Sequence, residues 1–116
     1  EADTAMVAPA FFLKVLALEG SAPVLDMCVS CGEEDSTQLV AFDLVEGGVH
    51  CRSCRRGRPL SGPGLELLRR TLGGGLAGVL AEPRSPVTDE VTSLATEAME
   101  AHLDRRLRAV RSGPGS

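Results

Sequence analysis

The chain has 116 residues, 43% of them apolar, and a net charge of −4 at pH 7. That length allows one modest core, and with three Phe, no Trp and no Tyr the core must be aliphatic. The composition excludes a uniformly basic nucleic-acid binder, offers few platforms for base stacking, and holds no apolar run of the roughly 18–20 residues a membrane span needs.

Residue 1 is not methionine and no signal peptide is legible, so the chain is expected to be a fragment or to continue upstream. A first helix is predicted from about Ala8 to Glu19, with Pro9 in its first turn and Gly20 as its stop. Phe12, Val15 and Leu16, with Phe11 and Leu18, are its expected apolar side. Pro23 breaks the chain before the cysteine segment. There "TQLVAFD" and "GGVHC" read as two short strands joined at Glu46-Gly47-Gly48.

Ser61 is the expected N-cap of a second helix through about Leu72, with Leu65, Leu68 and Leu72 on one face, ended by Gly73-Gly74-Gly75. A weaker helical turn, "LAGVLAE", follows. Ser85-Pro86 opens the last helix, where Asp89 and Glu90 suit the N-terminal dipole. It runs to about Val110, and Val87, Val91, Leu94, Ala95, Ala98, Leu103, Leu107 and Val110 recur at helical spacing. The expected fold is mainly α: a small helical domain with an inserted two-stranded, four-cysteine zinc ribbon. Its parts are a first helix in residues 1–25, the ribbon in 26–58, the remaining helices in 59–111 and a flexible tail in 112–116.

All four cysteines fall in the inserted segment, as Cys28-x2-Cys31-x19-Cys51-x2-Cys54. Two residues between cysteines let both thiolates of a tight turn point at one ion, and two such turns complete a tetrahedral site. Gly32 suits the positive φ such a turn demands. One structural zinc is the expected cofactor. Iron also suits four thiolates, and two disulfides or free thiols are the remaining alternatives, though no secretion signal supports them. Four cysteines close the coordination, so chemistry at the metal is not expected. His50, beside Cys51, is a weaker candidate ligand, and His102 reads as a packed or surface histidine.

The charge is uneven: residues 1–50 carry nine acids and one base, Lys14, whereas residues 51–70 carry six arginines and one acid, Glu66. Arg52, Arg55, Arg56 and Arg58 either neutralise a tetrathiolate site, whose net charge with zinc is −2, or contact phosphates or an acidic partner. Arg105, Arg106 and Arg108, in "DRRLRAVR", either complement the helix C-terminus and Asp104 or extend that basic surface. Gly73-Gly74-Gly75 follows a helix and lacks the Lys-Ser/Thr of a phosphate loop. No small-molecule site and no enzyme activity are expected.

The order of motifs resembles the C-terminal part of the RecO family of bacterial recombination mediators. The resemblance rests on "FFLKVLALEGSAPVLDMC", "CVSCG", "LVAFDLVEGGVHCRSCR", "PLS", an "LLRR" helix and the closing "HLDRRLRAVRS". It implies a cytoplasmic, nucleoid-associated DNA-repair protein that anneals single strands and loads recombinase. It implies DNA, RecR and single-stranded-DNA-binding protein as partners, and an N-terminal OB-fold absent from this chain. The metal residues carry over onto Cys28, Cys31, Cys51 and Cys54. A zinc-ribbon interaction adaptor that never touches nucleic acid is the competing function, and a thiol redox protein a third.

Overall fold

The computed structural model describes residues 5–111, with side chains through 109. The predicted tail at 112–116 and the side chains of Val110 and Arg111 lie outside the described residues. The elements are α1 (Val7–Leu18), a 3-10 turn (Ser36–Gln38), β1 (Leu39–Asp43), β2 (Gly48–Cys51), β3 (Arg58–Pro59), α2 (Gly62–Leu72), α3 (Leu76–Leu80) and α4 (Pro86–Arg111). The molecule is mainly helical, with a small sheet between the first two helices.

Helix α1 ends where Gly20 takes a φ of +76°, and the N–H of Ser21 reaches back to the Leu16 carbonyl at 2.8 Å. Its buried side overlaps the expected one in part: Leu16 is buried and half-buried Phe12 packs against the core. Pro9, Ala10, Leu13 and Leu16 face the core, while Phe11 is 64% and Leu18 87% exposed. The helix carries apolar residues all round, so periodicity marks no single face.

Helix α2 begins as expected: Ser61 Oγ accepts from the Gly64 N–H at 3.0 Å. The partner that completes the cap comes from another helix. Ser61 donates its N–H and its hydroxyl to the Glu90 carboxylate on α4, at 2.8 and 2.6 Å. Gly64 makes room for that carboxylate, which a Cβ there would meet at 2.7 Å. At the start of α4, Ser85 and Thr88 cap each other, N–H to hydroxyl, at 2.8 and 3.2 Å.

The sheet has three strands in the order β2-β1-β3, all antiparallel. The expected two-stranded ribbon gains its third strand from Arg58–Pro59, which pairs with Phe42 and Ala41. Two residues, one of them proline, carry no legible strand period. Of the two glycines shared between the expected strand and its turn, Gly47 stays in the bend and Gly48 opens β2. There it lies beside Val24, and a Cβ on Gly48 would come within 2.5 Å of the Val29 side chain.

Sheet and helices share one core. Leu39, Phe42 and Val49 sit in the same buried cluster as Leu13 and Leu16 of α1, Leu65 and Leu68 of α2, and Val91 and Leu94 of α4. Beyond Met99, α4 leaves that core, and Leu103 and Leu107 are 51% and 58% exposed. Those two positions continue the apolar spacing of the helix but lie largely on the surface.

Candidate metal centre

The first knuckle runs from Cys28 to Gly32. The Cys28 N–H bonds to the Glu33 carbonyl, and the Gly32 N–H returns to the Cys28 carbonyl, both at 2.9 Å. This tight reversal requires the φ of +81° at Gly32. The Val29 N–H bonds to the Val49 carbonyl at 2.9 Å, which docks the knuckle on β2. Arg69 of α2 fixes both flanks: its Nε and Nη2 donate to the Leu25 carbonyl at 3.1 and 2.7 Å, and its Nη1 to Ser36 Oγ at 2.7 Å.

The second knuckle continues from the end of β2. The Cys54 N–H bonds to the Cys51 carbonyl at 3.2 Å, and the Arg52 N–H to the Gln38 carbonyl at 3.0 Å. The chain then turns back at Gly57, where φ is +87°. A Cβ at that glycine would sit 2.1 Å from the Phe42 carbonyl oxygen. Only glycine lets the chain pass close enough to form β3.

The two knuckles bring all four cysteines together. All are free thiols, and the four Sγ atoms lie within 4.8 Å of one another. An ion holding four sulfurs at about 2.3 Å sets sulfur–sulfur edges of about 3.8 Å. The Cys31–Cys51 separation, 3.6 Å, is already that of a ligand edge. Cys28 and Cys51 are buried, Cys54 is half-buried and Cys31 is exposed, so the site sits at the rim of the core. These four residues could hold one metal ion.

The electrostatics agree with that donor set. Burial pushes the Cys28 thiol up, but N–H groups of Cys51, Cys31 and Ser30 outweigh it and bring it to about 5. Contacts with Cys31 and Cys51 push Cys54 up to about 12. Four neighbouring sulfurs cannot all hold negative charge unaided, and a divalent cation removes the conflict.

His50 is fully buried and lies behind the sulfurs rather than among them. Its Nε2 is 3.2 Å from Asp43 Oδ2, and its Nδ1 is 3.3 Å from Ser30 Oγ and 3.9 Å from Cys28 Sγ. Burial raises the Asp43 carboxyl, but the N–H groups of Glu46 and Val45 and the His50 ring together hold it below the usual carboxylate range. The chain Asp43–His50–Ser30 supports the first knuckle from beneath. Neither this chain nor the role of Arg69 was legible in the sequence; the one signal for the chain was a histidine adjoining a cysteine.

The arginines divide. Arg52, Arg55 and Arg56 are exposed and make no ion pair among the described residues. Arg56 lines an open cleft of about 500 Å³ beside the knuckles, with Ser30, Ser53 and Glu46. Arg58 turns to α4 instead, 3.0 Å from Glu97 and donating to Ser93 at 3.2 Å. On α4, Arg106 is held by Glu19 at 2.7 Å, Arg108 pairs with Asp104, and Arg105 is exposed.

Four cysteines that could hold one metal ion are thus built into the rim of the core of a small helical body, with exposed arginines on the second knuckle. The family model described as "Recombination protein O C terminal" matches residues 1–111. The DNA repair protein RecO of Anaeromyxobacter sp. (strain K) is 39% identical over 107 residues, covering 88% of this chain and 42% of that protein. The DNA repair protein RecO of Streptomyces coelicolor is 36% identical over 110 residues, 91% of this chain and 42% of that protein. That of Geobacter sulfurreducens is 37% identical over 87 residues, 74% of this chain and 35% of that protein. No solved structure matches the chain. The chain belongs to the recombination protein O (RecO) family, and spans about two-fifths of the length of the relatives it matches.

Proposed function

We propose that this chain is the zinc-carrying C-terminal part of a recombination mediator in DNA repair. One structural zinc is held by Cys28, Cys31, Cys51 and Cys54, and the second knuckle presents its arginines to DNA phosphates. The observation that carries the DNA reading is the contrast among the arginines. Arg58, Arg70, Arg106 and Arg108 are engaged in ion pairs, whereas exposed Arg52, Arg55 and Arg56 are left to solvent. Their backbone is held by the metal knuckle and by Gln38, so they lose less freedom on binding than a loose loop would. Arg105 is a further candidate contact.

In this reading the chain is not an enzyme, because four protein ligands leave the metal no open position. Its partners are single- and double-stranded DNA, RecR and single-stranded-DNA-binding protein, and DNA binding by this segment alone is weak, since an OB-fold elsewhere in the family carries much of the DNA surface. The cytoplasm and its nucleoid are the expected location. The bacterial relatives named as DNA repair proteins support this setting, and no helix among the described residues is long and apolar enough to cross a membrane.

Anisotropy titrations of single-stranded oligonucleotides at two salt concentrations test the proposal, comparing the protein with its Arg52→Ala/Arg55→Ala/Arg56→Ala variant. Affinity should fall for all sequences alike, and the slope of log K against log salt should flatten by up to about 0.7 for each phosphate no longer neutralised. Unchanged affinity would leave these arginines as counter-charges to the thiolates. Undetectable DNA binding by the full-length protein would favour the adaptor reading, with which the net charge of −4 agrees.

A further inference from the structure

The four sulfurs of the metal centre are unequally placed. Cys28 and Cys51 are buried and Cys54 is half-buried, but Cys31 is exposed. Across the two knuckles, Cys31 Sγ lies 3.6 Å from Cys51 Sγ. A sulfur bound to a divalent ion is already a thiolate, and a thiolate that solvent reaches is open to oxidation. With a second sulfur beside it, that oxidation ends at a disulfide, because the neighbour captures the first product.

We infer that Cys31 and Cys51 are a peroxide-sensitive pair, whose disulfide releases the metal and loosens the arginine-bearing tip of the second knuckle. The inference rests on the zinc reading above and adds to it a site of modification. The Cys31 thiolate attacks one oxygen of a peroxide, the O–O bond breaks, hydroxide leaves and Cys31 becomes a sulfenic acid. The Cys51 thiolate then attacks the Cys31 sulfur, and the S–O bond breaks with loss of a second hydroxide. Two electrons pass from the sulfurs to the peroxide, which with two protons ends as two waters. Cys28 and Cys54 alone are too few to keep the ion, since a structural site needs four ligands. A dithiol that attacks the exposed Cys31 sulfur takes up the disulfide and restores both thiols.

The change is local because the new bond joins the same two knuckles that the ion joined. It links residues 20 apart in sequence and replaces a metal staple by a covalent one. The first knuckle stays docked through the Val29 N–H on the Val49 carbonyl, and Leu39 still pairs with Cys51. The hold is thinner beyond Cys51. The Arg52 N–H reaches the Gln38 carbonyl, but the Cys54 N–H only returns to Cys51 inside its own knuckle, and the chain rejoins the sheet at Arg58. Once Cys54 is released, Arg55 and Arg56 stand on a turn without a metal anchor.

The test starts from the full-length protein with its zinc content measured by elemental analysis. Hydrogen peroxide is titrated in beside a colorimetric zinc indicator, and tandem mass spectrometry under non-reducing conditions reads which sulfurs are joined. One zinc should be released for each Cys31–Cys51 disulfide, and dithiothreitol with added zinc should restore the starting state. Brief trypsin treatment should cut after Arg55 and Arg56 several-fold faster in the oxidised protein than in the zinc-loaded one. The oxidised protein should also melt above reduced protein stripped by a chelator, because its knuckles remain joined. Zinc-loaded protein that keeps its ion in a large excess of peroxide would overturn this inference alone. So would a disulfide confined to one knuckle, Cys31 oxidised beyond the sulfenic acid without a partner, or unchanged cleavage at Arg55 and Arg56. Protein purified without zinc would overturn the zinc reading and the inference together.

Discussion

Gly32 and Gly57 share a positive φ, +81° and +87°, yet their surroundings differ. A Cβ on Gly32 meets nothing within 4 Å, whereas one on Gly57 meets the Phe42 carbonyl at 2.1 Å. Gly32→Ala should therefore cost about 1 kcal/mol, the strain of a left-handed alanine, and Gly57→Ala about 2 kcal/mol or more, because a backbone must move as well. Urea midpoints measure both, and equal losses would show that β3 yields freely. Behind the sulfurs, His50→Gln should retain the metal but weaken its hold by about ten-fold, as loss of an outer hydrogen bond does; competition with a chelating indicator reads this. The clustering of the four cysteines was legible because Cys-x-x-Cys spacing is itself the geometry of a knuckle. Asp43, Ser30 and Arg69 were not, because they meet the site across the sheet and from α2, and no local spacing records such contacts.

At the scale of elements, caps and breaks were the most legible features. Ser61, Ser85-Pro86 and the glycine triplet set helix ends through local chemistry, and the structure places the ends there. Faces were less legible. Helix α1 has no polar side to orient it, and the outer end of α4 keeps apolar spacing at Leu103 and Leu107 although both are more than half exposed. The link between α2 and α4 through Glu90 lies beyond any periodicity, since 29 residues separate it from Ser61. Glu90→Ala should destabilise the domain by about 1 kcal/mol, through loss of the two hydrogen bonds that complete the Ser61 cap. Thermal unfolding would detect it, and an unchanged midpoint would mean that water replaces the carboxylate without loss.

At the scale of the molecule, the radius of gyration is 14.9 Å, against about 13 Å for a compact chain of similar length, because the end of α4 overhangs the core. Acid should loosen the contact between that end and α1. The hydrogen bonds from His102 and Arg106 hold the Glu19 carboxyl below its ordinary range, so the stability it contributes is complete above the unfolded carboxylate value and is lost as pH falls through the folded one. Glu19→Gln should flatten the decline of the urea midpoint below about pH 4.5, and an unaltered profile would mean that Glu19 adds nothing to stability. The ribbon, in contrast, is expected to depend on a metal ion held by its four cysteines. Because Phe42 and Val49 belong to the same core as the helices, losing the metal should weaken the whole domain rather than free a separate finger. Elemental analysis of freshly purified, reduced protein beside its Cys51→Ser variant measures that dependence at its source. The expected result is one zinc per chain, and in the variant a loss of zinc together with a lower, still single, thermal transition. Protein that contains no metal, or a variant that loses its zinc and melts unchanged, would contradict a metal-stabilised core.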